Sequence, residues 1–152
     1  MMSIRTRDAS HDDLPHIAKL FDLYRQFYEQ APDAELARSF VEQRFLNRES
    51  RQLVAENAAG EIVGFSQLYP SFCSVEAAPI YVLYDLFVAP DARQGGVGRA
   101  LLLAAEALAR MEGKARMDLT TAKTNLVAQS LYEALGWTRD EVFHTYSRRL
   151  AP

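Results

Sequence analysis

Hydrophobic and polar positions in the first third of the chain predict one strand followed by two helices. Residues 3–8 alternate with the period of two that is typical of a strand, and Ser10 with Asp13 resembles the capping box that opens a helix. The first helix should bury one face, whose members recur at spacings of three and four: Leu14, Ile17, Phe21, Tyr24 and Tyr28. The second helix should run from Asp33 to about Leu46, with three side chains turned inward: Leu36, Phe40 and Val41.

The middle of the chain predicts a hairpin and a central strand. Residues 52–56 and 62–69 have strand character on either side of a turn at 57–60. After a polar stretch, residues 80–88 (IYVLYDLFV) form a nearly continuous apolar run that only Asp85 interrupts. A strand this apolar is typical of the centre of a sheet, where both faces are covered.

The last third of the chain predicts two further helices. A glycine-rich bend leads into a long helix that ends at Gly113 and has one apolar face: Leu101, Ala104, Ala105, Leu108 and Met111. A short strand at 115–121, a helix from about Asn125 to Leu135 and an alternating strand at 142–150 complete the pattern. Because strand and helix signals alternate without a repeat or linker, the sequence predicts a single α/β domain over residues 1–152.

Composition fits one globular domain and narrows the choice of partners. The chain has 152 residues, of which 49% are hydrophobic, and its 17 basic and 20 acidic side chains leave a net charge of −3. That balance argues against a nucleic-acid partner and against an anionic membrane surface. No apolar run approaches the roughly 18 residues of a membrane span, and the start of the chain lacks a secretory signal, so we expect a cytoplasmic protein. Cys73 is the only cysteine, which excludes an intrachain disulfide and any zinc site that needs two thiolates.

The bend before the long helix has the chemistry of an anion site. Gly95, Gly96 and Gly98 allow a ligand to approach the backbone closely, and Arg93 and Arg99 flank them with permanent charge. The first four N–H groups of a helix have no partner inside the helix, and the helix dipole adds partial positive charge there. A phosphate group is the expected ligand, with an ordinary strand-to-helix turn as the alternative.

Two familiar phosphate loops fit this bend poorly. A P-loop needs Gly-Lys-Ser/Thr, whereas Gly98 is followed by Arg99. A dinucleotide fingerprint could start at Gly96, but its third glycine is replaced by Leu101, although Asp118 stands about 20 residues further on, where a ribose ligand is expected. A nucleotide-binding oxidoreductase therefore stays open as a further alternative.

A third loop fits better. The segment RQGGVGRA at 93–100 resembles the acyl-CoA pyrophosphate loop of the GNAT N-acetyltransferase superfamily. The resemblance covers about residues 80–140, since further features of that family follow in the same order: Val88, Pro90, the loop, a long helix, a strand, Asn125 and Tyr132 with Gly136.

The resemblance implies a fold and a reaction. The fold is a mixed, strongly twisted sheet with helices on both faces, and the reaction moves an acetyl group from acetyl-CoA to a primary amine by direct attack in a ternary complex, without a metal. A homodimer is implied too, as in many relatives. The alternative on the same fold is a non-catalytic acyl-CoA-binding sensor or regulatory domain. Two segments, FYE at 27–29 and YDLFV at 84–88, are similar to the diamine and polyamine acetyltransferase branch, which points to a polyamine or lysine-like small amine.

The resemblance also implies which residues hold the acyl donor. In relatives the pantetheine arm pairs with the strand before the loop, and such pairing requires a bulge and a splay that leave one strand edge open. The expected acetyl-CoA-binding residues are Leu86, Phe87, Val88, Arg93, Gln94, Gly95, Gly96, Val97, Gly98, Arg99 and Asn125.

Two side chains are the expected catalytic groups. Tyr132 is protonated at neutral pH, so it can donate a proton to the departing thiolate, and it shares a helix face with Asn125, seven residues earlier. Asp85 is the only charge in the apolar strand and is the candidate base, directly or through a water. The alternatives are a core aromatic for Tyr132 and an ion pair with an arginine for Asp85, with Glu76 and Tyr84 as reserve candidates for the base.

Aromatic and acidic residues predict a cationic acceptor. Tyr28, Glu29 and Tyr84 are the expected substrate-binding residues, because aromatic faces beside carboxylates suit an ammonium group. Core packing is the alternative for Tyr28, which continues the apolar face of the first helix.

Overall fold

The computed structural model describes residues 3–152, which divide into two compact units, one up to Thr120 and one from Thr121 onward. The first unit contains five strands: β1 (Arg5–Asp8), β2 (Arg51–Glu56), β3 (Ile62–Cys73), β4 (Ala78–Val88) and β5 (Met117–Asp118). It also contains three α-helices: α1 (Leu14–Phe27), α2 (Ala34–Leu46) and α3 (Val97–Met111). The second unit contains helix α4 (Leu126–Ala134).

The five strands form one mixed sheet in the order β1-β2-β3-β4-β5. The first four strands are antiparallel to their neighbours, and β5 runs parallel to β4. Antiparallel neighbours can be joined by short turns, whereas the parallel step from β4 to β5 needs a crossover, which α3 provides. The predicted mixed sheet is confirmed, and the apolar strand β4 lies between β3 and the short β5.

Helices cover both faces of this sheet, as two adjacent residues of β3 demonstrate. The Phe65 ring packs edge-on against Phe21 of α1, with ring centroids 6.3 Å apart. A Cβ built on Gly64 would stand 2.8 Å from a methyl carbon of Val97 in α3, so the absence of a side chain lets α3 approach the sheet closely. Because successive residues of a strand point to opposite faces, α1 and α3 lie on opposite sides.

The start of α1 is fixed by a partly buried ion pair between Arg7 and Asp13. The Asp13 carboxylate accepts the Ser10 backbone N–H at 2.7 Å, which is half of the predicted capping box. The Arg7 guanidinium of β1 donates to both oxygens of the same carboxylate, at 2.6 and 3.0 Å. These contacts lower the pKa of Asp13 from 3.8 to about 2, chiefly through the hydrogen bond from Arg7. The pair therefore joins the first strand to the first helix.

Several sequence expectations about packing and strand length were wrong. Four side chains that were predicted to face the core are exposed: Tyr28, Leu36, Phe40 and Met111. Small or neighbouring side chains such as Ala37 and Leu102 fill the core instead. The strands also run further than the predicted 62–69 and 80–88, since β3 and β4 continue through the polar stretch as a hairpin to a turn at Ser74, where the Ala77 N–H donates to the Ser74 carbonyl.

The strand predicted at 142–150 is not formed. These residues lie outside any strand and are exposed. An alternating pattern shows that a segment suits a sheet, but a strand also requires a neighbour to hydrogen-bond its backbone.

Replacing Asp13 by asparagine should lower the free energy of unfolding by about 2 kcal/mol at neutral pH, because the native carboxylate is stabilised by Arg7. The unfolded state binds its proton near pH 3.8 and the native state only near 2, so the wild-type protein should lose this stability as pH falls through that window. Urea unfolding at several pH values would measure both effects. The Asp12→Asn variant, at an exposed neighbour, is the control, and an equal loss there would contradict the role of the pair.

Candidate functional site

A bulge in strand β4 creates the site. Gln67 of β3 lies opposite Asp85 of β4, whereas the next residue, Leu68, lies opposite Leu83, so Tyr84 has no partner on β3. A bulged residue disrupts the ladder locally and turns the side chains that flank it. The Tyr84 carbonyl accepts a hydrogen bond from the Tyr24 hydroxyl of α1 at 3.2 Å, and the Tyr84 ring is 66% exposed.

The register beyond the bulge places polar side chains in a row across the sheet. Gln52 of β2 lies opposite Gln67, and Gln67 lies opposite Asp85, all on the face that α1 and α2 cover. The Gln67 Nε2 donates to Asp85 Oδ2 at 2.7 Å, and its Oε1 accepts from Ser50 and from Gln52. The next row along the same face is apolar and contains Phe65, so the polar row is enclosed by the core.

The Asp85 carboxylate is buried without a cation. Its exposed fraction is 4%, and among residues 3–152 it takes part in no salt bridge. Burial raises the pKa of Asp85, while the hydrogen bond from Gln67 and the neighbouring Tyr24 hydroxyl lower it. The arginine ion pair considered as the alternative for Asp85 is therefore not what the fold provides. A buried carboxyl whose pKa is raised accepts a proton more readily than an exposed carboxyl does.

Tyrosine rings surround this carboxylate. Tyr24 packs edge-on against Tyr28 with ring centroids 5.2 Å apart, and Tyr69 packs edge-on against Tyr84 at 5.5 Å. Burial, followed by the charge of Asp85, raises the pKa of both Tyr24 and Tyr69, so both phenols stay protonated at neutral pH. Aromatic faces over a carboxylate form a surface that favours an organic cation.

One edge of β4 is open along the same stretch. Its parallel partner β5 pairs only with Tyr81 and Val82, so within the described part of the chain no strand lies beside residues 83–88 on that edge. The open strand edge that the predicted donor site requires is thus present, and Leu86, Phe87 and Val88 lie along it. Backbone groups on an open edge can hydrogen-bond an extended ligand in the way another strand would.

The glycine loop follows directly at the end of β4. Gly96 caps α3 with a left-handed φ of +83°, and a Cβ built on it would meet nothing within 4 Å. The first backbone bond of the helix runs from the Ala100 N–H to the Gly96 carbonyl, so the amides of residues 97–99 have no acceptor inside the helix. The first turn contains no acidic residue that would repel an anion.

The arginines and Gln94 frame this loop. Arg93 is exposed, and its Nε donates to the Val88 carbonyl at 3.2 Å while its guanidinium lies 5.3 Å from the centre of the Phe87 ring. Gln94 has a left-handed φ of +66°, and Arg99 is exposed on the first turn of α3. The loop therefore presents free amides and two guanidinium groups to solvent, which is the chemistry that a pyrophosphate requires.

The second unit contains Asn125 and Tyr132. Asn125 caps α4, and its side-chain oxygen accepts the Ala128 N–H at 3.2 Å, so this residue has a structural task at the helix start. Tyr132 lies on α4, half-buried, with its ring 6.2 Å from that of Trp137. Gly136 ends the helix with φ +95°, as predicted.

Other predicted residues lie in simpler surroundings. Glu29 follows α1 with a left-handed φ of +64° and is exposed, as is Tyr28. Glu76 is exposed and pairs with Arg116 at 3.4 Å, and Arg116 also pairs with Asp118 at 2.8 Å. The dinucleotide alternative depended on Asp118 as a ribose ligand, and this carboxylate is paired with Arg116 instead.

Sequence reasoning missed the two buried glutamines. Gln67 and Gln52 are almost fully buried, and the signal for Gln67 was its position two residues after Phe65, which places a polar side chain on the inward face of an otherwise apolar strand. Ser50 was missed because it precedes β2.

Among residues 3–152, no helix is long and apolar enough to cross a membrane. Within the same residues, no three His, Cys, Asp or Glu side chains form a group that could hold a metal ion.

Comparison with known proteins identifies relatives for this arrangement. A family model of acetyltransferases, the GNAT family, matches residues 17–137. The protein YhfO of Bacillus subtilis, named an uncharacterized N-acetyltransferase, is 46% identical over 140 residues, which cover 92% of this chain and 93% of that protein. The crystal structure of a probable acetyltransferase has a TM-score of 0.91 at 35% identity and covers 97% of this chain and 99% of its own.

A more distant structure shares the fold. The aminoglycoside N-acetyltransferase AAC(6')-Iy, solved in complex with CoA, has a TM-score of 0.81 at 20% identity, with 99% of this chain and 97% of that chain covered.

The Gly96→Ala variant should lose about 1 kcal/mol of unfolding free energy, because an L-residue at φ +83° is strained even where space is open. The Gly95→Ala variant is the matched control, since the φ of Gly95 lies outside the left-handed region. Chemical denaturation of both variants measures the difference. Equal stability of the two variants would show that the loop does not depend on the left-handed turn.

Proposed function

The chain belongs to the acetyltransferase (GNAT) family and is an acetyl-CoA-dependent acetyltransferase, and from that premise we propose that it acetylates the primary amine of a small cationic molecule. Diamines, polyamines and lysine-like amines form this class. The observation that supports the proposal is the buried, cation-free Asp85 carboxylate, which lies among tyrosines on the open-edged stretch of β4. A homodimer and a cytoplasmic location belong to the same proposal, and they rest on the family resemblance and on composition.

The acyl donor would lie along β4 and at the start of α3. The open backbone of Leu86, Phe87 and Val88 would pair with the amides of the pantetheine arm, as in the family the motif resembles. The N–H groups of the first turn, with Arg93 and Arg99, would hold the pyrophosphate. Gln94, Gly95, Gly96, Val97 and Gly98 shape that turn, and Asn125 is proposed as a further acetyl-CoA contact.

The reaction needs an uncharged nitrogen and a protonated leaving group. Asp85 would accept a proton from the ammonium group, directly or through one water, because its raised pKa lets it hold that proton. The free amine then attacks the thioester carbonyl, so that a C–N bond forms and the C–S bond breaks. Tyr132 would donate its phenolic proton to the departing thiolate, and the proton that the new amide loses restores the phenol.

The acceptor would be recognised by charge and by aromatic contact. Tyr28, Glu29 and Tyr84 line the exposed approach, and the Tyr84 ring next to the bulge is the most exposed of the tyrosines around Asp85. A single buried carboxylate favours one ammonium group close to the reacting end, while the exposed Glu29 would attract a second positive charge further out.

Thiol release from acetyl-CoA with a panel of amines tests the reaction. We expect saturable release with diamines, polyamines or lysine-like amines after the amine-free hydrolysis rate is subtracted, and little with neutral monoamines. Tight binding of acetyl-CoA without any stimulation by an amine would contradict the enzyme and favour an acyl-CoA sensor.

Removal of the Tyr132 hydroxyl tests the proposed acid. The Tyr132→Phe variant should lower kcat by about 100-fold, because general acid catalysis typically contributes 10² to 10⁴ in rate. Tyr146→Phe is the control, since Tyr146 is an exposed tyrosine of the same unit. Steady-state kinetics at saturating acetyl-CoA would make the comparison, and equal turnover in the two variants would remove Tyr132 from the role.

A further inference from the structure

A buried amide connects the Asp85 carboxylate to the neighbouring strands. Gln67 lies on β3 between Gln52 on β2 and Asp85 on β4, with 1% of its surface exposed. We infer that Gln67 is a positioning residue for the transfer reaction, which orients the Asp85 carboxylate and keeps it available as the base. The inference rests on the proposed function, in which Asp85 accepts the proton of the amine.

Hydrogen bonds at both ends fix the orientation of the Gln67 amide. Its Oε1 accepts the Ser50 hydroxyl at 2.7 Å and the Gln52 Nε2 at 3.1 Å, while its Nε2 donates to Asp85 Oδ2 at 2.7 Å. Gln52 is held in turn, because its Nε2 also donates to the Val41 carbonyl of α2 at 3.3 Å. Rotation of the Gln67 amide by half a turn would point N–H groups at a donor and an oxygen at a carboxylate, so only one orientation satisfies all partners.

The hydrogen bond from Gln67 matters because no cation neutralises Asp85. The titratable and charged groups around this part of the sheet are Tyr24 on α1, Arg44 on α2, Glu49 after α2, Tyr69 on β3 and Tyr84 on β4. Of these, Arg44 is paired with Glu49 at 3.0 Å. Gln67 is therefore the group that donates to the Asp85 carboxylate, since the Tyr24 hydroxyl donates its proton to the Tyr84 carbonyl, and this donor favours the ionised form of Asp85.

A glutamine suits this position better than other residues of similar size. An aliphatic side chain would leave the carboxylate short of a donor inside the core, and a glutamate would set a second negative charge against it. An amide supplies one donor to Asp85 and one acceptor to the β2 side, without adding charge. A glutamine at position 67 is therefore suited to orient the Asp85 carboxylate without neutralising it.

The Gln67→Met variant tests this role, because methionine keeps the length of the side chain and removes the N–H donor. The Asp85 carboxylate should then hold its proton more tightly, so the acid limb of the kcat/KM profile for the amine should move to higher pH. Since a hydrogen bond to a charged group corresponds to about one pKa unit or more, kcat/KM should fall about tenfold more on the acid side than on the alkaline plateau. Steady-state kinetics across pH at saturating acetyl-CoA measures this, with thermal melts to confirm folding.

Two further variants keep the test decisive. Ser66→Ala is the matched control, because Ser66 is the adjacent buried residue and its hydroxyl has no hydrogen-bond partner within the described residues. It should leave the acid limb in place. Ser50→Ala removes one of the two donors to the Gln67 oxygen, so it should move the limb in the same direction by a smaller amount, and it provides the readout if Gln67→Met does not fold.

An Asp85→Asn variant separates failure of the inference from failure of the proposed function. Wild-type kcat/KM in Asp85→Asn would show that Asp85 is not the base, and the role of Gln67 would fall with it. A large loss in Asp85→Asn, combined with acid limbs at the wild-type pH in Gln67→Met and Ser50→Ala, would overturn only the inference about Gln67. A shifted limb in those two variants, with an unmoved limb in Ser66→Ala, would support it.

Discussion

The bulge at Tyr84 is the constraint on which the site depends. Leu83 lies opposite Leu68, so in a regular ladder Tyr84 would pair with Gln67, and Asp85 would lie opposite Ser66 and point to the face that α3 covers. The bulge turns Asp85 to the face of α1 and α2, where the Gln67 Nε2 donates a hydrogen bond to its carboxylate. It also releases the Tyr84 carbonyl to the Tyr24 hydroxyl and pushes the Tyr84 ring outward. A register shift of one residue therefore determines the positions of the proposed base Asp85, of its donor Gln67 and of the Tyr84 ring at the acceptor surface.

Asp13 and Asp85 are both buried carboxylates, and the groups around each one suit it to a different role. Asp13 receives two hydrogen bonds from Arg7, and its pKa is lowered to about 2, so it stays ionised and holds a strand to a helix. Asp85 receives a hydrogen bond from the neutral Gln67 amide and takes part in no ion pair within the described residues, and burial raises its pKa. A permanent cation nearby would fix Asp85 in its ionised form and weaken it as a proton acceptor, whereas a neutral donor orients it and leaves the proton exchange possible.

The proposed acyl-donor surface follows from the same strand. The open edge of β4 ends at Val88, and the loop to α3 begins there, so the backbone edge and the start of the helix follow each other directly along the chain. Gly64 lets α3 approach β3, which fixes the position of the first turn relative to that edge. Gly96 provides the left-handed turn that aims the amides outward. Packing on one face of the sheet thus positions binding groups at its edge.

The sequence by itself determined the elements and the family. Spacings of three and four fixed the helices, alternation and turn residues fixed β1 to β4, and the motif from Arg93 to Gly98 with Asn125 and Tyr132 identified the acetyltransferase family, because these signals are local. It also singled out Asp85, since a lone charge in an apolar strand is conspicuous. Register, by contrast, is decided between strands, so the bulge at Tyr84, the row of Gln52 and Gln67, and the neutral donor of Asp85 appeared only in the tertiary structure. Residues 142–150 illustrate the same point. Their alternating pattern suits a sheet, but they form no strand, because only a neighbouring strand can supply the backbone hydrogen bonds.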